Sequence, residues 1–164
     1  MRGVRAKAAI SLALAALAFA PTAAADRTLA AGASLAGRWE FRTGPIGAAG
    51  ACDIAGSINI ERANAQGVHP CRFESIQTCP NSPIAYKVAQ SCTARVTGNT
   101  VSIVSRVERI ISVEPAENLE AVRRGYAPDN FTVRINTGAT EMIGRFYSHG
   151  ESEVRFWRPR QLTS

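Results

Sequence analysis

Cys52-Asp53-Ile54-Ala55-Gly56-Ser57-Ile58-Asn59-Ile60-Glu61 reads as one alternating segment. Cys52, Ile54, Gly56, Ile58 and Ile60 occupy one parity, and Asp53, Ala55, Ser57, Asn59 and Glu61 the other. A period of two is what a β-strand with one buried face requires, because successive side chains point to opposite sides of the sheet. The rhythm returns at Tyr86, Val88, Gln90, Cys92, Ala94 and Val96, and again at Phe131, Val133 and Ile135.

Working outward, weaker runs bring the expectation to eight strands, over about 37–42, 51–61, 69–79, 84–96, 100–112, 130–137, 140–148 and 152–159. Turn-forming residues separate most of them: Gly44-Pro45 and Gly47, Asn64 to Gly67, Pro80 to Pro83, Gly98-Asn99, Gly138 and His149-Gly150. Links this short imply antiparallel neighbours. Eight such strands can close into an up-and-down β-barrel, which removes the edges an open sheet must protect. A two-sheet β-sandwich is the rival arrangement. One insertion departs from the strand rhythm. Pro115, Glu117 and Glu120 suit the start of a helix, Arg123 and Arg124 its end, and Gly125 a left-handed closing position. A short helix is therefore expected over 115–124, with Leu119 and Val122 on its inner side.

The cysteines can be placed on these hairpins. A turn centred near Ala65-Gln66 sets Cys52 opposite Cys79, and one centred at Asn81-Ser82 sets Cys71 opposite Cys92. Directly opposed Cβ atoms lie about 4.5–5.5 Å apart, within reach of a bridge after modest adjustment. The expected disulfides are thus Cys52 with Cys79 and Cys71 with Cys92, each restricting the unfolded chain by about 3 kcal/mol. Zinc is disfavoured, since the intervening gaps of 18, 7 and 12 residues contain no C-x-x-C pair.

The compartment is read from the amino terminus. Arg2, Arg5 and Lys7 precede the apolar run Ala8 to Ala20, and Ala23-Ala24-Ala25 follows it, the order of a signal peptide over 1–25. The run is shorter than the roughly 20 residues needed to span a bilayer. A periplasmic or secreted product without membrane insertion is expected, with a flexible segment over 26–36 and the barrel over 37–160. An even number of cysteines agrees with an oxidising compartment. The leader holds three of the 19 basic residues and none of the 13 acidic ones, leaving 16 against 13, a net charge of +3. Fifteen of those 16 are arginines, scattered singly apart from Arg123-Arg124, with no run resembling a nucleic-acid footprint.

Candidate functional side chains are few. Ser75, Gln77, Gln90 and Ser105 fall in phase with core residues, and a buried amide or hydroxyl must find a hydrogen bond. They either bond one another across strands or line a ligand site in the lumen. His69 and His149 are expected in turns, without the partnered setting that catalysis or metal binding requires. Glu151 and Glu153 share one side of a strand end and are expected to be solvated. Tyr147 and Trp157, out of phase with Phe146 and Phe156, are expected to face outward. Nothing here forms a catalytic motif, so no enzymatic activity and no cofactor is expected.

Ala36-Gly37-Arg38-Trp39 resembles the Gly-x-Trp opening of the calycin barrels, which include lipocalins and avidins, and the Ala-Gly-x-Trp of small bacterial periplasmic metalloprotease inhibitors. The resemblance covers four residues, and the chain departs from the inhibitors in its four cysteines and inserted helix. It implies an eight-stranded barrel whose floor is closed by Trp39 packing against an arginine near the chain end, where Arg155, Arg158 and Arg160 stand. We assign Arg158 as the floor candidate. The functional expectation is a monomeric, non-enzymatic binding protein of the cell envelope that holds a small apolar ligand or contacts a partner protein. The alternative is a periplasmic inhibitor of a protease or other hydrolase, acting through a barrel end or through Asp26 to Leu35. A side-chain-filled lumen would count against the apolar ligand.

Overall fold

The computed structural model describes residues 33–47, 52–80 and 84–159. The signal-peptide assignment, residues 26–32 of the expected flexible segment and Arg160 lie outside them. Eight strands run in chain order: β1 (Gly37–Thr43), β2 (Asp53–Ile60), β3 (Val68–Thr78), β4 (Ala85–Thr97), β5 (Thr100–Glu114), β6 (Asn130–Ile135), β7 (Glu141–Tyr147) and β8 (Glu151–Trp157). Each pairs antiparallel with the next, and β8 returns to β1 through Phe41 opposite Phe156. That last pairing closes the barrel and excludes the sandwich.

The alternation works as the pattern requires. Trp39, Phe41, Ile54, Ile58, Phe73, Val88, Phe131, Met142, Phe146 and Phe156 all point inward and are almost fully buried. Burying each such side chain contributes about 1.5–3 kcal/mol. Gly56 shares this inward parity because its place is taken: a Cβ there would stand 2.8 Å from the Phe41 ring. The glycine thus admits the aromatic side chain from the neighbouring strand.

Two features depart from simple repetition. In the pairing of β4 with β5, the register shifts between Lys87 and Val88 and again between Ala89 and Gln90. Each shift is a bulge that inserts one extra residue and bends the strand. This explains why the alternation becomes irregular around Arg109-Ile110-Ile111. Moreover, β6 pairs with β5 only from Thr100 to Ile103, so the rest of β5 is paired with β4 but not with β6. There the inserted segment forms a single 3-10 turn (Ala116–Asn118) and helix α1 (Leu119–Gly125). Leu119 and Val122 are half-buried on its inner side. Gly125 does not take the expected left-handed closing position; it completes the helix, and Tyr126 follows in an extended conformation.

Both disulfides lie within the register. Cys52 is bonded to Cys79, and Cys71 to Cys92, with Cα atoms 4.0 and 4.8 Å apart. The ladder that sets Asp53 opposite Thr78 continues to the first pair and sets Cys71 opposite Cys92 directly. The first bridge staples the end of the barrel where β2 begins, and the second the end where it finishes.

Candidate functional site

The end at which β1 and β2 meet the amino-terminal segment is a floor. Trp39 is fully buried, and the Arg158 guanidinium lies 3.8 Å from its ring centre. A cation over an indole face is attracted by the ring quadrupole. The same guanidinium donates to the carbonyls of Ser34, Ala36, Arg38 and Ala139. The Trp39 indole in turn donates to the Leu35 carbonyl at 2.9 Å. Gly37 has φ of +115°, and a Cβ on it would stand 2.7 Å from Arg158 Nη1. The glycine before the tryptophan therefore has two physical reasons: a backbone region that L side chains avoid, and the space occupied by the arginine.

At the opposite end, the mouth, the polar residues of the inward face converge on a residue that the alternation had not included. Asp129, fully buried, accepts hydrogen bonds at Oδ2 from the Ser75 hydroxyl (3.1 Å), the Gln90 amide (2.6 Å) and the Tyr126 phenol (2.7 Å). The Asp129 backbone N–H donates back to Gln90 Oε1 at 3.0 Å, so the two residues close a ring of two bonds. Asp129 Oδ1 is buried and has no hydrogen-bond partner among the described residues. Burial holds the carboxyl above its ordinary 3.8, against the pull of the hydrogen-bond donors around it. Burial likewise raises the Tyr126 phenol, and it pushes Tyr86 up to about 12, with the Asp129 charge adding to both.

Of the four polar candidates, Ser75 and Gln90 join this cluster. Gln77 is half-buried with its amide 3.8 Å from Cys79 Sγ. The Ser105 N–H donates to the Asn130 side-chain oxygen at 2.8 Å, while its buried hydroxyl has no partner among the described residues. The sequence carried a signal for Asp129: it continues the parity of Phe131, Val133 and Ile135 one step upstream. Strand propensity stops at Asn130, and a Pro-Asp-Asn triplet reads as a turn, so the rhythm is broken off one residue too early.

The cluster works as a latch. It ties the connector Tyr126 to Asp129 to β3 and β4, while the β7–β8 turn holds the same connector from the other side. There His149 Nε2 accepts the Ala127 N–H at 2.9 Å, and the Ser148 hydroxyl donates to the Ala127 carbonyl at 3.0 Å. His149 stands in a turn, as expected. His69 does not: it lies within β3, its Nδ1 2.8 Å from the Glu61 carbonyl, because the strand runs through His69-Pro70 at the sheet's end. Glu151 pairs with Arg145, Tyr147 is 41% exposed on the outside, and the half-buried Trp157 indole donates to Glu40. Among the described residues no group of three His, Cys, Asp or Glu side chains is placed to hold a metal ion. Nor is any helix among them long and apolar enough to cross a membrane.

Between floor and mouth the lumen is full. Phe41, Phe73, Phe131, Phe146 and Phe156 pack with ring centres 5.2–5.9 Å apart. A cavity at the mouth beside Ile54, Gln77 and His149 measures about 70 Å³, whereas drug-sized ligands occupy about 300–1,000 Å³. Larger grooves, of about 530, 470 and 420 Å³, lie on the outer wall. The fold and these contacts define a small closed barrel, latched at both ends around an aromatic interior. Compared with family models, curated proteins and solved structures, the chain has no match.

Proposed function

We propose that this chain is an exported, non-enzymatic binding protein that works through its outside, contacting a partner protein, and does not carry an apolar ligand. The supporting observation is the aromatic packing of the lumen: five phenylalanines fill the space a ligand would need. The mouth cluster fits the same reading, since its carboxylate is saturated by internal donors on one oxygen and its side chains fasten a connector. The order of the leader and the two disulfides support export.

A second reading, inhibition of a secreted hydrolase, is favoured by a separate observation. Arg158 grips the carbonyls of Ser34, Ala36 and Arg38, so any segment preceding residue 34 leaves the floor from a fixed point. Native mass spectrometry of the protein purified from its host tests both readings. A stoichiometric protein partner is the expected result; a secreted hydrolase as that partner selects the second reading, and a stoichiometric apolar small molecule overturns both.

A further inference from the structure

The arginines, scattered along the sequence, are brought into line by strand pairing. On the outer wall Arg38 of β1 stands beside Asn59 of β2, Asn59 beside Arg72 of β3, Arg72 beside Ser91 of β4, and Ser91 beside Arg106 of β5. One row thus crosses five adjacent strands, with an exposed arginine on every second strand and a short polar side chain between. Neighbouring strands lie about 4.8 Å apart, so the arginines recur about every 10 Å over about 19 Å. None of the three forms an ion pair among the described residues, whereas Arg42, Arg123, Arg145 and Arg155 each do. Beside the row, the groove of about 530 Å³ is walled by Arg38, Asn59, Arg72, Glu74, Glu108 and Arg109. Ala89, although it points outward, is only 9% exposed there and forms part of the floor.

The surroundings of the row select the chemistry of its occupant. The adjacent row towards the mouth is Glu40, Ser57, Glu74, Ala89 and Arg109. A polymer with a charge on every unit, such as a nucleic-acid strand with one phosphate about every 3.4 Å, would press some of its anions against Glu40 and Glu74. At Arg72, the centre of the row, a peptide strand could not extend the sheet, because β2, β3 and β4 are paired on both sides. Isolated anions on a hydroxyl-rich chain meet neither obstacle. The arginines take the anions through charge-assisted hydrogen bonds, while Asn59, Ser57, Ser91 and the free sides of the carboxylates exchange hydrogen bonds with hydroxyls. We propose that this wall binds a linear acidic polysaccharide bearing widely spaced carboxylate or sulfate groups, with Arg72 at the centre of the site. The site lies on the outer wall away from the mouth, shares only the Arg38 backbone with the floor, and does not depend on the proposed protein partner.

The test measures binding of the full processed protein to a glycan with a uronate on every second sugar, a glycan with a sulfate on every second sugar, and neutral dextran at about 0.15 M salt, with polyglutamate and single-stranded DNA run in parallel. The expected result is binding to one or both acidic glycans and none to dextran, the two acidic arms distinguishing carboxylate from sulfate. Arg72→Ala is expected to weaken binding about tenfold, Arg38→Ala and Arg106→Ala a few-fold each, and Arg134→Ala, an exposed arginine on β6, not at all. All four side chains point outward, and an unchanged urea midpoint verifies that the variants fold. The proposal is overturned by absence of binding to every acidic glycan, by equal or tighter binding of polyglutamate or DNA, or by full binding in the triple arginine variant.

Discussion

At the floor of the barrel a guanidinium rests on an indole and reaches four backbone carbonyls, keeping part of its surface in water. At the mouth a carboxylate shut away from water collects three side-chain donors on one oxygen and leaves the other oxygen without a partner among the described residues. Both ends are tied by one charged residue that reaches across several elements. The difference is solvation: Arg158 is half-buried, whereas Asp129 is fully buried and its charged form is penalised. The floor should therefore respond to the loss of packing, and the mouth to the loss of hydrogen bonds and to pH.

The largest effect should come from Trp39→Ala, which removes the floor's packing and its cation–indole contact together and should cost about 4 kcal/mol in urea unfolding. A loss below about 1 kcal/mol would show that the floor relaxes around the cavity. Next, Asp129→Ala strands the Ser75, Gln90 and Tyr126 donors and should cost about 3 kcal/mol. It should also speed hydrogen exchange of the 126–129 amides while leaving the floor's amides protected.

The two ends should separate most clearly with pH. The folded protein holds the Asp129 proton more tightly than the unfolded chain, whose aspartate titrates near 3.8. The stabilising contribution of the protonated carboxyl is therefore fully present below that value and lost as pH rises through the higher folded one. Relative to Asp129→Asn, the wild type should lose stability as pH climbs from the acid side, and a pH-independent difference would contradict the raised carboxyl. The smallest effect is expected from Arg158→Lys. It keeps the charge but replaces a planar fork that reaches four carbonyls with a single ammonium, and should cost about 1 kcal/mol without pH dependence over the same range.

How much could be read in advance divides along the same line. The inward parity of β2, β4 and β6 and the placement of both cysteine pairs follow from residues near one another along the chain and from tight turns, so periodicity suffices. Ser75 and Gln90 were legible as inward polar residues, but not their common partner. Asp129 sits where the strand pattern meets a turn triplet, and the outcome there was decided by donors contributed from 39 and 54 residues away. The bulges in β5 were likewise hidden, because an extra residue is defined only relative to the partner strand.

The amino-acid pattern alone determined that the chain makes eight antiparallel strands with one apolar side, and which sulfurs face each other. Gathering three donors on Asp129 and lining up Arg38, Arg72 and Arg106 were left to the closed barrel. The reason is geometric: which way a side chain points is set by its immediate neighbours along the chain, whereas which side chains meet depends on the register between strands far apart in sequence, and closure fixes that register for all eight strands at once.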